Sequence, residues 1–130
     1  MANNCRVTNC KIDNYSKPVR FDTDSWIIFW GKNNRFDHNY IGDKLNGGCT
    51  LIVELNDERS QHNNHLIDSN FFAGRSPLGS NGGETIRIGV SRYSMTSSNT
   101  TVKDNIFFHN SGEVEIISVK SCNNNILNNT

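Results

Sequence analysis

One six-residue pattern returns along this chain and limits its fold more than any other feature. Val7-Thr8-Asn9-Cys10-Lys11-Ile12, Phe36-Asp37-His38-Asn39-Tyr40-Ile41, Ile67-Asp68-Ser69-Asn70-Phe71-Phe72 and Val102-Lys103-Asp104-Asn105-Ile106-Phe107 align without gaps, and Ile126-Leu127-Asn128-Asn129-Thr130 is a shortened fifth copy. Each copy opens on an apolar residue, and three places on stand Cys10, Asn39, Asn70, Asn105 and Asn129. The interval varies between about 24 and 35 residues, as in a solenoid whose coils carry loops of different length. Between the copies runs a second apolar set, Trp26-Ile27-Ile28, Leu51-Ile52-Val53, Ile86-Arg87-Ile88 and Val114-Glu115-Ile116. Each coil therefore supplies at least two short strands, and equivalent strands must lie in parallel about 4.8 Å apart. No helical period of useful length competes. The reading predicts an all-β, right-handed parallel β-helix of about four to five coils, with residues 1–130 forming one domain.

Asparagine makes up about one residue in six. Such polarity suits disorder, but regularly spaced apolar strands oppose it. At a coil corner, asparagine tolerates left-handed backbone, and its amide can donate and accept along a stack. The recurring column is therefore expected to form a ladder that Cys10 interrupts. The segments Asn56–Asn63 and Arg75–Gly83 read as loops from their turn residues. Thirteen basic and thirteen acidic residues cancel and are scattered, which removes the broad basic face that nucleic acid requires. No window approaches the roughly 18 apolar residues of a membrane span, and Met1–Arg6 has no apolar signal core. Cys5, Cys10, Cys49 and Cys122 lack zinc spacing and are expected to be small buried residues. His38, His62, His65 and His109 are expected at surfaces or turns, and Trp26 and Trp30 in core stacks, with Trp30 placed to face a groove.

Chemistry concentrates in Gly112-Glu113-Val114-Glu115-Ile116-Ile117-Ser118-Val119-Lys120-Ser121. On an extended strand Glu113 and Glu115 share a face while Val114 and Ile116 point inward. Two exposed carboxylates invite a hard cation, and a lysine nearby can take a carbon-bound proton once it is neutral. A solvated Glu/Lys strand edge is the plainer alternative. Stacking the second strand set sets Arg87 beside Glu115, either as a cross-strand ion pair or as a fork for a sugar carboxylate. Asn81, entering the Gly82-Gly83 turn before that strand, is a candidate third oxygen ligand. Lys120 reaches the same side only if the strand breaks register between Ile116 and Val119.

Asn81-Gly82-Gly83-Glu84-Thr85-Ile86-Arg87-Ile88-Gly89 and the Gly112–Ser121 segment resemble the two signature segments of polysaccharide lyase family six, the group containing chondroitinase B and many alginate lyases. Trp30-Gly31-Lys32-Asn33-Asn34-Arg35 and Asn39-Tyr40 are similar to its preceding coils. The resemblance implies a right-handed parallel β-helix that binds calcium through Asn81, Glu113 and Glu115. It implies Lys120 as catalytic base and Arg87 along a groove for an anionic polysaccharide, and β-elimination at a uronic acid of alginate or of dermatan and chondroitin. It also implies a secreted or periplasmic enzyme with a further arginine about one coil beyond Lys120, past Thr130. On that basis the chain is expected to be the central part of a longer lyase, truncated at both ends, with little turnover alone. A non-catalytic glycan-binding or adhesin β-helix is the competing class. A glycoside hydrolase using the glutamate pair would leave Lys120 and Asn81 without a role.

Overall fold

The computed structural model describes residues 1–130 as a parallel β-solenoid with three strands per coil. Strands are numbered in chain order. The first sheet holds β1 (Arg6–Thr8), β4 (Arg35–Asp37), β7 (Leu66–Asp68), β10 (Thr101–Lys103) and β13 (Asn125–Leu127). The second holds β2 (Lys11–Asp13), β5 (Tyr40–Gly42), β8 (Phe71–Arg75) and β11 (Ile106–Asn110). The third holds β3 (Ile27–Phe29), β6 (Leu51–Val53), β9 (Ile86–Gly89) and β12 (Ile117–Lys120). Every named pairing is parallel and joins one coil to the next.

The six-residue repeat is two strands with a corner between them, so a coil has three strands, within the expectation of at least two. Its opening residues stack in register, Val7 on Phe36, Phe36 on Ile67, Ile67 on Val102 and Val102 on Ile126. Phe36, Ile67 and Val102 are at most 2% exposed, whereas Val7 and Ile126, with a neighbour on one side only, are 45% and 41% exposed. Burying one such side chain fully stabilises by roughly 1.5–3 kcal/mol, so the core is built coil by coil. Leu51, Val53, Ile86 and Ile88 complete it from the third sheet.

The asparagine column is a hydrogen-bonded ladder at the corner between the first and second sheets. Asn39 Nδ2 donates to Asn70 Oδ1, Asn70 Nδ2 to Asn105 Oδ1 and Asn105 Nδ2 to Asn129 Oδ1, each at 3.0 Å. Cys10 ends it by donating its backbone N–H to Asn39 Oδ1. The left-handed backbone falls one residue earlier than expected, at Asn9, His38, Ser69, Asp104 and Asn128. A second asparagine column stands at the corner leading into the first sheet. Asn4, Asn33, Asn64, Asn99 and Asn123 all have positive φ, and the first four stack amide on amide through exposed side chains.

Beside that column the corner position is Cys5, Asn34, His65, Thr100 and Asn124 in turn. His65 is therefore a buried residue, 1% exposed, and not the surface or turn histidine expected. Its Nδ1 accepts from Asn34 N–H and its ring packs on Phe29, and burial pushes its pKa down to about 4. The cysteines also depart from expectation. Cys49 is buried, but Cys5 and Cys10 are exposed and Cys122 is half-buried, all as free thiols. Trp26 packs half-buried against the core, beneath the Lys44 ammonium, whereas Trp30 is exposed and outside it.

Candidate functional site

Alternation along the third sheet decides which side chains leave the solenoid. Ile86 and Ile88 are fully buried inside, so Arg87 projects outward between them. The register pairs Arg87 with Ser118, and Lys120, two residues on, shares that outer face. This corrects the expected neighbour of Arg87, which is not Glu115: β12 runs three residues later than the apolar pattern suggested. Val114 is 99% exposed, and the residue that pairs with buried Ile86 and packs on the core is Ile117.

The physical reason lies at the corner before the strand. Gly112 packs backbone against backbone on Gly83, where a Cβ on Gly83 would lie 2.3 Å from Gly112 O. Residues 112–114 are consequently bent rather than extended. Ile116 C=O then accepts from both Thr85 N–H (3.1 Å) and Ile86 N–H (3.0 Å), the mark of a bulge at the strand entrance. The register break expected between Ile116 and Val119 therefore sits before Ile117. Lys120 reaches the outer face along regular strand.

Four groups meet on or beside that face. Glu84, 3% exposed, brings Oε1 to 4.0 Å from Lys120 Nζ, while its Oε2 accepts from Cys49 Sγ at 3.4 Å. Burial, with the Glu84 charge beside it, pushes the Cys49 thiol up to about 11 and keeps it a protonated donor. Arg87 Nε is buried without a partner, an unusual state for a guanidinium donor and one that an anionic group would satisfy. Glu84 was not singled out from the sequence. Its only signal there is its place between Gly83 and the Arg87 strand.

The two motif segments, from successive coils, join through Glu113. Its Oε2 accepts from Gly82 N–H (2.9 Å) and Gly83 N–H (3.0 Å), so its Oε1 remains for another partner. Gly82 has φ +95°, a conformation that an L side chain disfavours. Asn81 immediately precedes this junction and is exposed, as is Glu115 two residues beyond Glu113. A shallow hollow of about 530 Å³, bounded by Pro77, Ser80, Ser111, Glu113 and Val114, opens beside it. No three His, Cys, Asp or Glu side chains converge anywhere in the chain. A cation held by the expected residues Asn81, Glu113 and Glu115 would draw on two carboxylates and an amide, with water or substrate supplying the rest. That all-oxygen donor set fits calcium, which takes six to eight oxygens.

The molecule is thus a parallel β-solenoid that carries arginine, lysine and carboxylates together on or beside one outer face. The chain belongs to the chondroitinase B family, whose model matches residues 1–130. Its fold superposes on the PL6 family alginate lyase AlyGC with a TM-score of 0.94 at 54% identity, covering 95% of this chain and 17% of that one. A mannuronic-acid-specific family 6 lyase from human gut microbiota gives 0.90 at 48% identity, covering 94% of this chain and 28% of that one. Alginate lyase AlyF-OU02, solved in complex with G6, gives 0.87 at 25% identity, covering 99% and 30%. The chain thus spans less than a third of the length of each of these proteins. No curated protein sequence matches it significantly.

Proposed function

We propose that the protein carrying this chain is a polysaccharide lyase that cleaves alginate by β-elimination, with Lys120 as the base. The observation that carries the reading is the outer face of the third sheet. There Arg87 and Lys120 share one side, with Glu84 against Lys120 and the Glu113 junction at the adjoining corner. A uronate carboxylate approaching this face would find the unpaired Arg87 Nε as a charge-assisted donor. Lys120 Nζ, about one-third exposed, is open to the sugar and, as the neutral amine, takes the proton from the carbon bearing the carboxylate. The electrons of that C–H bond form a ring double bond, the bond to the 4-linked oxygen breaks, and the departing oxygen takes a proton from water. Glu84 holds the resulting ammonium in place. Asn81, Glu113 and Glu115 are the residues that would hold calcium. When bound, the ion would supply positive charge opposite the uronate as negative charge develops.

Alginate is preferred over dermatan because the solved relatives at 54% and 48% identity are described as alginate and mannuronic-acid lyases. The test is mass spectrometry of products from the full-length protein on alginate and on dermatan sulfate. Elimination gives fragments lacking one water relative to hydrolysis products. Hydrolytic masses, or intact polymer with retained binding, would refute the lyase reading, and turnover of dermatan alone would refute the substrate.

A further inference from the structure

Arg75 has no part in the chemistry above, yet it is the largest side chain among the fully buried ones, 2% exposed. Read as the first residue of a loop, it is instead the last residue of β8. Its guanidinium meets no carboxylate. Nη1 donates to Lys44 O (2.9 Å) and Asn46 O (2.7 Å), and Nη2 to Gly48 O (2.8 Å) and Gly82 O (3.4 Å). Nε donates to Gly83 O at 3.1 Å. A buried cation satisfied entirely by carbonyls demands that those carbonyls stay where they are.

Two of them belong to the turn that holds Glu113. The peptide unit joining Gly82 to Gly83 gives its C=O to Arg75 and its N–H to Glu113 Oε2. A cation on the oxygen side and an anion on the nitrogen side polarise that unit in the same sense, so each bond strengthens the other. The packing is close on the third side as well, since a Cβ on Gly112 would lie 2.7 Å from Arg75 Cγ. Removing the fork frees the turn, and with it the only hydrogen bonds that orient Glu113.

We propose that Arg75 is a positioning residue for the cation site, acting through the Gly82–Gly83 peptide to fix the Glu113 carboxylate. The inference rests on the reading of Asn81, Glu113 and Glu115 as calcium ligands. The test is calcium titration calorimetry on the full-length protein and its Arg75→Met, Glu113→Gln and doubly substituted variants, each first shown folded by circular dichroism. Calcium affinity should fall about tenfold in Arg75→Met, and the double variant should bind no more weakly than Glu113→Gln alone. Affinity within twofold of the parent in a folded Arg75→Met, or effects of the two substitutions that multiply, would overturn the proposal. If Arg75→Met does not fold, Arg75→Lys, which keeps the charge and loses the fork, is read by the same criteria. A parent protein that binds no calcium would refute the ligand reading itself. Loss in Arg75→Met together with unchanged affinity in Glu113→Gln would refute only the route through Glu113.

Discussion

Replacing Asn70 with alanine should cost more than any single substitution on the solenoid surface, and the cost can be worked from its four side-chain hydrogen bonds. Nδ2 donates to Phe36 O (2.9 Å) and Asn105 Oδ1 (3.0 Å), while Oδ1 accepts from Asn39 N–H and Asn39 Nδ2, both at 3.0 Å. Asn39 and Asn70 are each 2% exposed. Alanine leaves the Asn39 backbone N–H buried without its acceptor, so the orphaned donor adds its desolvation penalty to the lost bonds. At about 1 kcal/mol for each of the four net bonds and 1–3 for the stranded group, the loss is about 5 kcal/mol or more. Asn129, half-exposed at the next rung of the same ladder, makes three such bonds, to the Asn105 N–H and amide and to Val102 O, and water can replace part of what is lost, so as alanine it should cost less, about 3 kcal/mol. Urea unfolding of the two variants, with equal m-values, measures the difference. Asn70→Ala costing no more than Asn129→Ala would refute the argument that the ladder stabilises by satisfying buried backbone. Asn70→Asp carries the reasoning further. A carboxylate oxygen would then face Phe36 O and Asn105 Oδ1, so folding favours the protonated acid and raises its pKa above about 3.9. Its stability should fall as pH rises through that value and recover in acid.

The other predictions concern single sites. His65 is held neutral in the folded chain, with a pKa of about 4 against 6.5, so its contribution is complete above pH 6.5 and is lost as pH falls toward 4. That window is worth roughly 3 kcal/mol, and His65→Asn, which keeps an acceptor for Asn34, should flatten the stability profile measured by urea midpoints across it. Gly83→Ala drives a Cβ into Gly112 O and should destabilise by about 3 kcal/mol or more. Gly79→Ala, with open space around it but φ +78°, should cost only about 1 kcal/mol, and equal thermal shifts would contradict the packing account. Glu84→Gln keeps the shape of the side chain and removes its charge from beside Lys120. It should lower kcat about tenfold at nearly constant KM in steady-state kinetics, and an unchanged kcat would deny Glu84 its positioning role.

The coils and the inner ladder were legible in the sequence because a buried amide must recur at one place in every coil, next to apolar residues that must also recur. The outer column of Asn4, Asn33, Asn64 and Asn99 obeys the same rule, but its side chains are exposed and its neighbours polar, so it merged with the general abundance of asparagine. Arg87 and Lys120 were expected on one face and share it, by a different path. Val114 and Ile116 fit a strand pattern as well as Ile117 and Val119 do. What separates them is the Gly83 contact with Gly112, a backbone approach between residues 29 positions apart that no local pattern encodes. Arg75 and Glu84 were passed over for a related reason. Each looks like loop polarity until the neighbouring coils close over it.

The central claim is that Lys120 removes the proton, and ultraviolet absorbance of alginate incubated with full-length Lys120→Met tests it most directly. The account predicts that the rise near 235 nm, a rough figure for an unsaturated uronate, disappears while calorimetric calcium binding and the urea midpoint stay at parent values. A Lys120→Met protein that still produces the absorbance at a tenth of the parent rate or faster would contradict it.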